Sequence, residues 1–225
     1  MQFGVMDYYA MFKKRGIRLP LVYFLQNHLF DLTNGTDTHT WLPKERYSEA
    51  PENFEHGVLY MCSWTSVVKK ATKFLVRTYG LELADCAFID IGCGKGKVLC
   101  VWSRLFRDQA NLSLVGIEYS SELLQICEGN LRAVGAKNYQ LLNSDASVTP
   151  LRFGRKFNIY YLYNPFDETI LSKVIEEMAA TDCFVIYNNP QHSNLFIEKG
   201  FSIVREEQSW HPIGDIIIFS NRAQQ

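Results

Sequence analysis

The stretch Cys86 to Lys97, "CAFIDIGCGKGK", limits the fold more than any other part of the chain. From Cys86 to Ile91 only Asp90 is polar, so an extended segment here has no solvent face. Strands of that kind lie inside parallel sheets covered by helices on both sides. Three glycines then follow at alternate positions, Gly92, Gly94 and Gly96, with a helical pattern starting near Lys95. Glycine lets the backbone adopt left-handed conformations and lets a ligand come close to a helix N-terminus. Strand, glycine turn and helix in that order predict an α/β unit with its ligand at the carboxyl end of the strand.

The rest of the chain repeats the alternation. "CSWTSVVKKATKFLVRTYG" places Val67, Val68, Ala71, Phe74 and Leu75 at helical spacing and stops at Gly80. Apolar runs "LSLVGI", "NYQLL", "FNIYYLY" and "CFVIYN" follow, with helices expected near Ser120 and Asp167. At the end, "GFSIVREEQSW" and "IGDIIIFSN" have no helix between them, which predicts an antiparallel pair at the sheet edge. Before all this, residues 1 to about 34 read as one or two amphipathic helices broken between Gly16 and Pro20. The turn-rich "DLTNGTDTHTWLPKERYSEAPENFEHG" comes next and reads equally as a lid over a site or as a plain connector. The expected division is an N-terminal helical and loop extension, 1–58, ahead of a ligand-binding domain, 59–225.

Composition narrows the function. A formal net charge of -1 gives no global footprint for nucleic acid or an anionic membrane. "KKRGIR" is the one basic cluster, either a solvated helix end or a phosphate or RNA contact. The six cysteines form no C-x-x-C pair and sit among apolar neighbours, as buried thiols do in a reducing, cytoplasmic setting. The N-terminal apolar run is broken by Gln26, Asn27 and His28, so neither an export signal nor a membrane span is expected. The histidines are scattered, with no metal-ligand spacing.

A dinucleotide fingerprint requires glycine where this chain has Lys97. The pattern is D-x-G-x-G-x-G instead, led by Asp90, and it resembles motif I of the class I S-adenosylmethionine (SAM) methyltransferases. The resemblance runs from about Tyr60 to the C-terminus. It implies SAM as cofactor and a Rossmann-like sheet of seven strands, mostly parallel, with helices on both faces and the last pair reversed. It also implies roles for residues. Asp90 faces the methionine ammonium through water, and Gly92, Gly94 and Gly96 admit the ligand. Glu118, in "LVGIEYS", accepts from the ribose hydroxyls, and Tyr119 is an aromatic candidate beside the sulfonium. Asp145 and the Ala146 amide, in "LLNSDAS", meet the adenine edge. Tyr60-Met61-Cys62-Ser63 is similar to a Tyr-x-Pro-Ser/Thr phrase whose hydroxyls reach the SAM carboxylate. Cys62 replaces the proline, and Ser63 reads more readily as the N-cap of the next helix than as a ligand contact.

The fourth strand ends in Asn164-Pro165-Phe166, where the family carries motif IV. Amino-methylating relatives have an Asn/Asp-Pro-Pro-aromatic turn there, which accepts from the substrate nitrogen and stacks a ring on the substrate; this chain is one proline short. The turn implies a nitrogen acceptor, on a protein or a small molecule, with Asn164 alternatively holding the methionine amino group or its own backbone. Tyr163 and Phe166 are further candidates beside the sulfonium. Asn188-Asn189-Pro190 reads as a simple turn or as part of the acceptor pocket. Other readings of the whole are an RNA methyltransferase, a non-catalytic SAM-binding module and an NAD-linked oxidoreductase; Lys97 and the lack of a Tyr-x-x-x-Lys pair stand against the last.

Overall fold

The computed structural model describes residues 5–40 and 62–222. Its strands are β1 (Cys86–Ile91), β2 (Ser113–Glu118), β3 (Tyr139–Asn143), β4 (Phe157–Tyr163), β5 (Cys183–Asn188), β6 (Ser202–Glu207) and β7 (Ile216–Ser220). They form one sheet in the order β3-β2-β1-β4-β5-β7-β6. As its composition requires, β1 is central, paired in parallel with β2 and β4 and buried along its whole length. Strand order reverses between β1 and β4, which opens a crevice at their carboxyl ends. The last two strands pair antiparallel as expected, but only β7 runs against the others, inserted between β5 and β6.

Helices cover both faces. Before β1 comes α4 (Thr65–Thr78), and the crossovers carry α5 (Lys97–Leu105), α6 (Ser121–Ala133), α7 (Glu168–Ala179) and the short α8 (Asn194–Glu198). Alternate residues of β1 feed two cores. Phe88 packs with Leu75, Leu99 and Trp102 of α4 and α5, while Ile89 packs on the opposite face with Ile175 and Met178 of α7. All six cysteines are buried free thiols.

The extension is a helical hairpin. Its arms are α1 (Val5–Arg15) and a second helix built from α2 (Arg18–Tyr23), a π-helical turn (Phe24–His28) and α3 (Leu29–Asn34). Gly16, at φ 66, makes the bend. The first arm packs on α2, with Tyr8 against Tyr23 and His28, and the π-helical turn packs on α4. After Gly35 the chain wraps around Asp31. That carboxylate accepts from Thr36 Oγ1 at 2.6 Å, Thr38 N at 2.8 Å and Thr38 Oγ1 at 2.7 Å, and pairs with His39. Burial opposes its charge, yet the hydrogen bonds from His39, Thr36 and Thr38 bring its pKa down to about 2. Residues 35–40 are therefore an organised loop, not a loose connector. The junction expected at residue 58 lies outside the described residues.

Candidate functional site

The glycine turn joins three strands. Gly92, Gly94 and Gly96 all have positive φ, at 73°, 52° and 78°. A Cβ on Gly92 would stand 3.0 Å from Pro165 Cβ, so glycine there lets the turn after β1 touch the turn after β4. A Cβ on Gly96 would stand 2.4 Å from Cys127 Sγ, so glycine here lets α5 start against α6. The amides of Gly92 and Cys93 both donate to Ile117 O, at 2.9 and 3.0 Å, which ties the turn to β2.

Two buried carboxylates sit at the strand tips. Glu118 Oε2 accepts from Gly94 N at 2.9 Å, and Oε1 from Ser120 N at 3.0 Å. Burial raises its pKa against the pull of those amides. Asp90, 4% exposed, is raised well above the carboxylate range, first by burial and then by the Glu118 charge. Among the described residues no cation pairs with Asp90. A buried carboxylate in that state favours a cationic ligand.

The two lysines of the turn point elsewhere. Lys95 Nζ lies 2.9 Å from Asp37 Oδ2. Lys97 Nζ donates to Gln26 O at 3.1 Å and sits 3.7 Å above the Phe30 ring, where burial lowers its pKa to about 8. Asn130 of α6 closes the arrangement: its side chain accepts from Asp37 N at 2.8 Å and donates to Asp37 O at 3.0 Å and Lys95 O at 2.9 Å. Lys97, which breaks the dinucleotide fingerprint, and Lys95 beside it thus fasten the extension to the glycine turn. Sequence reasoning missed Asp37, Lys95 and Asn130; the available signal was a pair of lysines inside a turn whose neighbours are all small or apolar.

The other expected residues divide. Asp145 Oδ1 accepts from Ser147 N at 2.8 Å, so it shapes its own turn, with Ala146 buried beside it. Tyr119 is half-buried, its pKa pushed up to about 12 by burial and then by Glu118. The N-cap of α4 is Trp64, without a side-chain bond, so the N-cap reading of Ser63 is not met. Ser63 is buried. Tyr60 lies outside the described residues.

At the tip of β4, Asn164 has φ 40, a left-handed conformation held at a turn, and its Oδ1 accepts from Tyr187 Oη at 2.9 Å. Pro165 presses on Gly92, and Phe166 packs half-buried on the α7 face of the core. Asn188 is structural: Tyr161 donates to its Oδ1 at 2.9 Å, and its Nδ2 donates to Ile213 O at 2.8 Å and Asp215 O at 2.9 Å, bracing the loop before β7. Tyr163 Oη, at the end of β4, and Asn27 Nδ2, on the π-helical turn, are buried without a partner among the described residues. Asn27 Oδ1 accepts from the Cys62 thiol at 3.3 Å. The π-helical turn that aims Asn27 inward left no mark in the sequence pattern.

Among solved structures, the magnesium protoporphyrin IX methyltransferase of Synechocystis, determined with bound SAM, aligns over 69% of this chain and 77% of its own at TM-score 0.53 and 16% identity. A SAM-dependent methyltransferase of Aquifex aeolicus aligns over 69% of this chain and 97% of its own at TM-score 0.50 and 13% identity. TrmN of Thermus thermophilus aligns over 69% of this chain and about half (52%) of its own, at TM-score 0.50 and 12% identity. These likenesses show the fold. No curated protein sequence matches the chain at a significant level. A family model described as a methyltransferase domain matches residues 82–205, from the approach to β1 into β6 and more than half of the chain. With motif I on β1, an acid on β2 and this strand order, the chain belongs to the methyltransferase-domain family, as a SAM-dependent methyltransferase of class I.

Proposed function

We propose that this methyltransferase moves the methyl group of SAM to a nitrogen atom of a protein side chain by in-line displacement. The turn after β4 carries the reading. Asn164 is held left-handed at φ 40 and braced by Tyr187 at 2.9 Å, beside a proline that touches the glycine turn. A side-chain carbonyl has two lone pairs, so with Tyr187 on one the other accepts an N–H. That bond turns the nitrogen lone pair into the crevice. When bound, SAM would supply a methyl carbon on a sulfonium: the nitrogen lone pair would take that carbon, the carbon–sulfur pair would leave on the sulfur as a neutral thioether, and the methylated nitrogen would lose its proton to solvent.

The residues present fit such a donor. Asp90, buried and without a cation, suits an ammonium. Asn27 Nδ2 and Tyr163 Oη, buried donors without acceptors, suit a carboxylate. Glu118 keeps lone pairs beyond those taken by Gly94 and Ser120, enough for ribose hydroxyls; Asp145 and Ala146 line the adenine edge. Gly92 and Gly96 give the close approach, and the helical hairpin and loop of residues 5–40, fastened to the glycine turn through Asp37 and Gln26, serve as its cover against water. Alignment with water excluded supplies most of the acceleration, because effective molarities of well-oriented groups are very large. Transfer to protein is tested with methyl-labelled SAM and separated protein, RNA and small-molecule fractions of a lysate. Base-stable label in protein, released on hydrolysis as a methylated amine, is the expected result; label confined to RNA or small molecules, or lost in base as an ester, overturns it.

Glu118 has a measurable double role. Glu118→Ala is expected to weaken SAM binding by about 1–3 kcal/mol through loss of a charge-assisted acceptor. The sequence alone suggests an intact fold for this variant, but the Gly94 and Ser120 amides both lose their acceptor. A stability loss of about 1–3 kcal/mol should therefore accompany the weaker binding. Calorimetry and denaturant unfolding on the same sample check both, and unchanged SAM affinity would remove Glu118 from the ribose site.

A further inference from the structure

The outer surface of the N-terminal hairpin is not used by the transfer chemistry. Nine of the thirteen large apolar side chains exposed among the described residues lie on it. On the second arm Leu21, Leu25, Leu29 and Leu32 recur every three or four residues, with Leu21 55% and Leu32 74% exposed, while Leu19, Asn27 and Phe30 are buried. That is one helical stripe facing out. Met6, Tyr9 and Phe12 make a shorter one on α1. Lys13, Lys14, Arg15 and Arg18 surround the bend at Gly16, and Asp7 is the only acid in residues 5–30. With Asp31, which is buried and paired with His39, the whole hairpin of residues 5–34 carries net +2 in a chain of net -1, so the remainder carries -3.

We propose that the hairpin docks on the surface of an anionic phospholipid bilayer, its apolar stripes at the acyl boundary and its basic bend among the headgroups. The charge chooses this occupant. A second copy brings the same positive excess with only Asp7 to meet it, and RNA offers phosphates but nothing to cover the leucine stripe. No helix among the described residues is long and apolar enough to cross a membrane, so the hairpin lies on the surface. Docking also orients the crevice. Arg15 Nη1 donates to Trp210 O at 3.4 Å, and the Arg18 guanidinium sits 4.3 Å over the Trp210 ring. Trp210 belongs to the loop before β7, and β7 starts beside Asn188 at the same sheet edge as Asn164. The bend and the active edge thus approach the bilayer together.

The test is sedimentation of the full chain with vesicles of phosphatidylcholine alone and with about 30% phosphatidylglycerol, at about 0.1 M and about 1 M salt. Sedimentation with the anionic vesicles, release at high salt and little binding to phosphatidylcholine alone are expected. Lys13→Gln with Lys14→Gln should weaken binding roughly 30-fold, and Leu21→Asn with Leu25→Asn roughly tenfold or more. All four side chains are exposed, so the unfolding midpoint should hold in both variants. Equal binding to both vesicle types, no binding by the wild type, or full binding by both variants overturns the proposal. A dimer in sedimentation velocity that the leucine variant dissolves, with no vesicle binding, assigns the stripe to a second copy instead.

Discussion

Asn164→Ala is expected to lower kcat by about 10²–10³ while SAM affinity changes less than about threefold, the signature of an interaction made only as the acceptor reacts. The alanine loses the carbonyl and also inherits φ 40, a conformation that costs an L-residue about 1–2 kcal/mol. Part of the effect is therefore on stability, and two companions separate the terms. Asn164→Asp keeps a side-chain oxygen and a residue type tolerant of left-handed backbone, so it should recover stability and some of the rate. Tyr187→Phe removes only the brace donated at 2.9 Å, and roughly tenfold in kcat with normal SAM binding is expected. Equal losses in kcat and in SAM affinity for Asn164→Ala would move this residue to the donor side, where it would hold the methionine amino group.

The parts of this molecule that could be read in advance depend on short sequence separations. "CAFIDI" had to be a central strand because no side of it tolerates water, and the glycine spacing distinguished a SAM turn from a dinucleotide turn within eight residues. The place of Glu118 against that turn was legible because an acid at the end of β2 is a fixed distance from it. What escaped was long-range. Lys95 reads as a solvated turn residue until Asp37, 58 positions away, is placed against it. Asn27 looks like a residue that merely interrupts an apolar run until the π-helical turn faces it inward toward Cys62. Ser63 stood one residue too early to cap α4, since helix boundaries are decided by packing as much as by capping propensity. Asn188 shows the converse error risk: a motif-like Asn-Asn-Pro at the active edge whose first side chain is spent on Tyr161 of β4 and on the loop before β7.

Gly96→Ala carries the largest expected effect on stability, and the structure divides its cause in two. The backbone term comes from φ 78, about 1–2 kcal/mol for any L-residue. The steric term comes from Cys127 Sγ, 2.4 Å from the new Cβ. Cys127 is fully buried between α5 and α6 and cannot swing away without disturbing the core, so overpacking adds about 1–3 kcal/mol. A loss of about 2–5 kcal/mol lowers the unfolding midpoint by roughly 4–20 °C in a chain of this size. Because the turn must shift, Gly94 N also moves off Glu118 and SAM binding should fail in parallel. The two terms separate in a double-mutant cycle. Cys127→Ala removes the sulfur and leaves a Cβ at 3.4 Å, so in that background Gly96→Ala should cost only the backbone part. Gly129→Ala supplies the opposite sign: it lies within α6 with no atom within 4 Å of a new Cβ, and alanine there should stabilise by about 0.5–1 kcal/mol. If the cost of Gly96→Ala were the same with and without the Cys127 sulfur, the contact between the glycine turn and α6 would carry none of the selection for glycine, and the left-handed backbone would carry all of it.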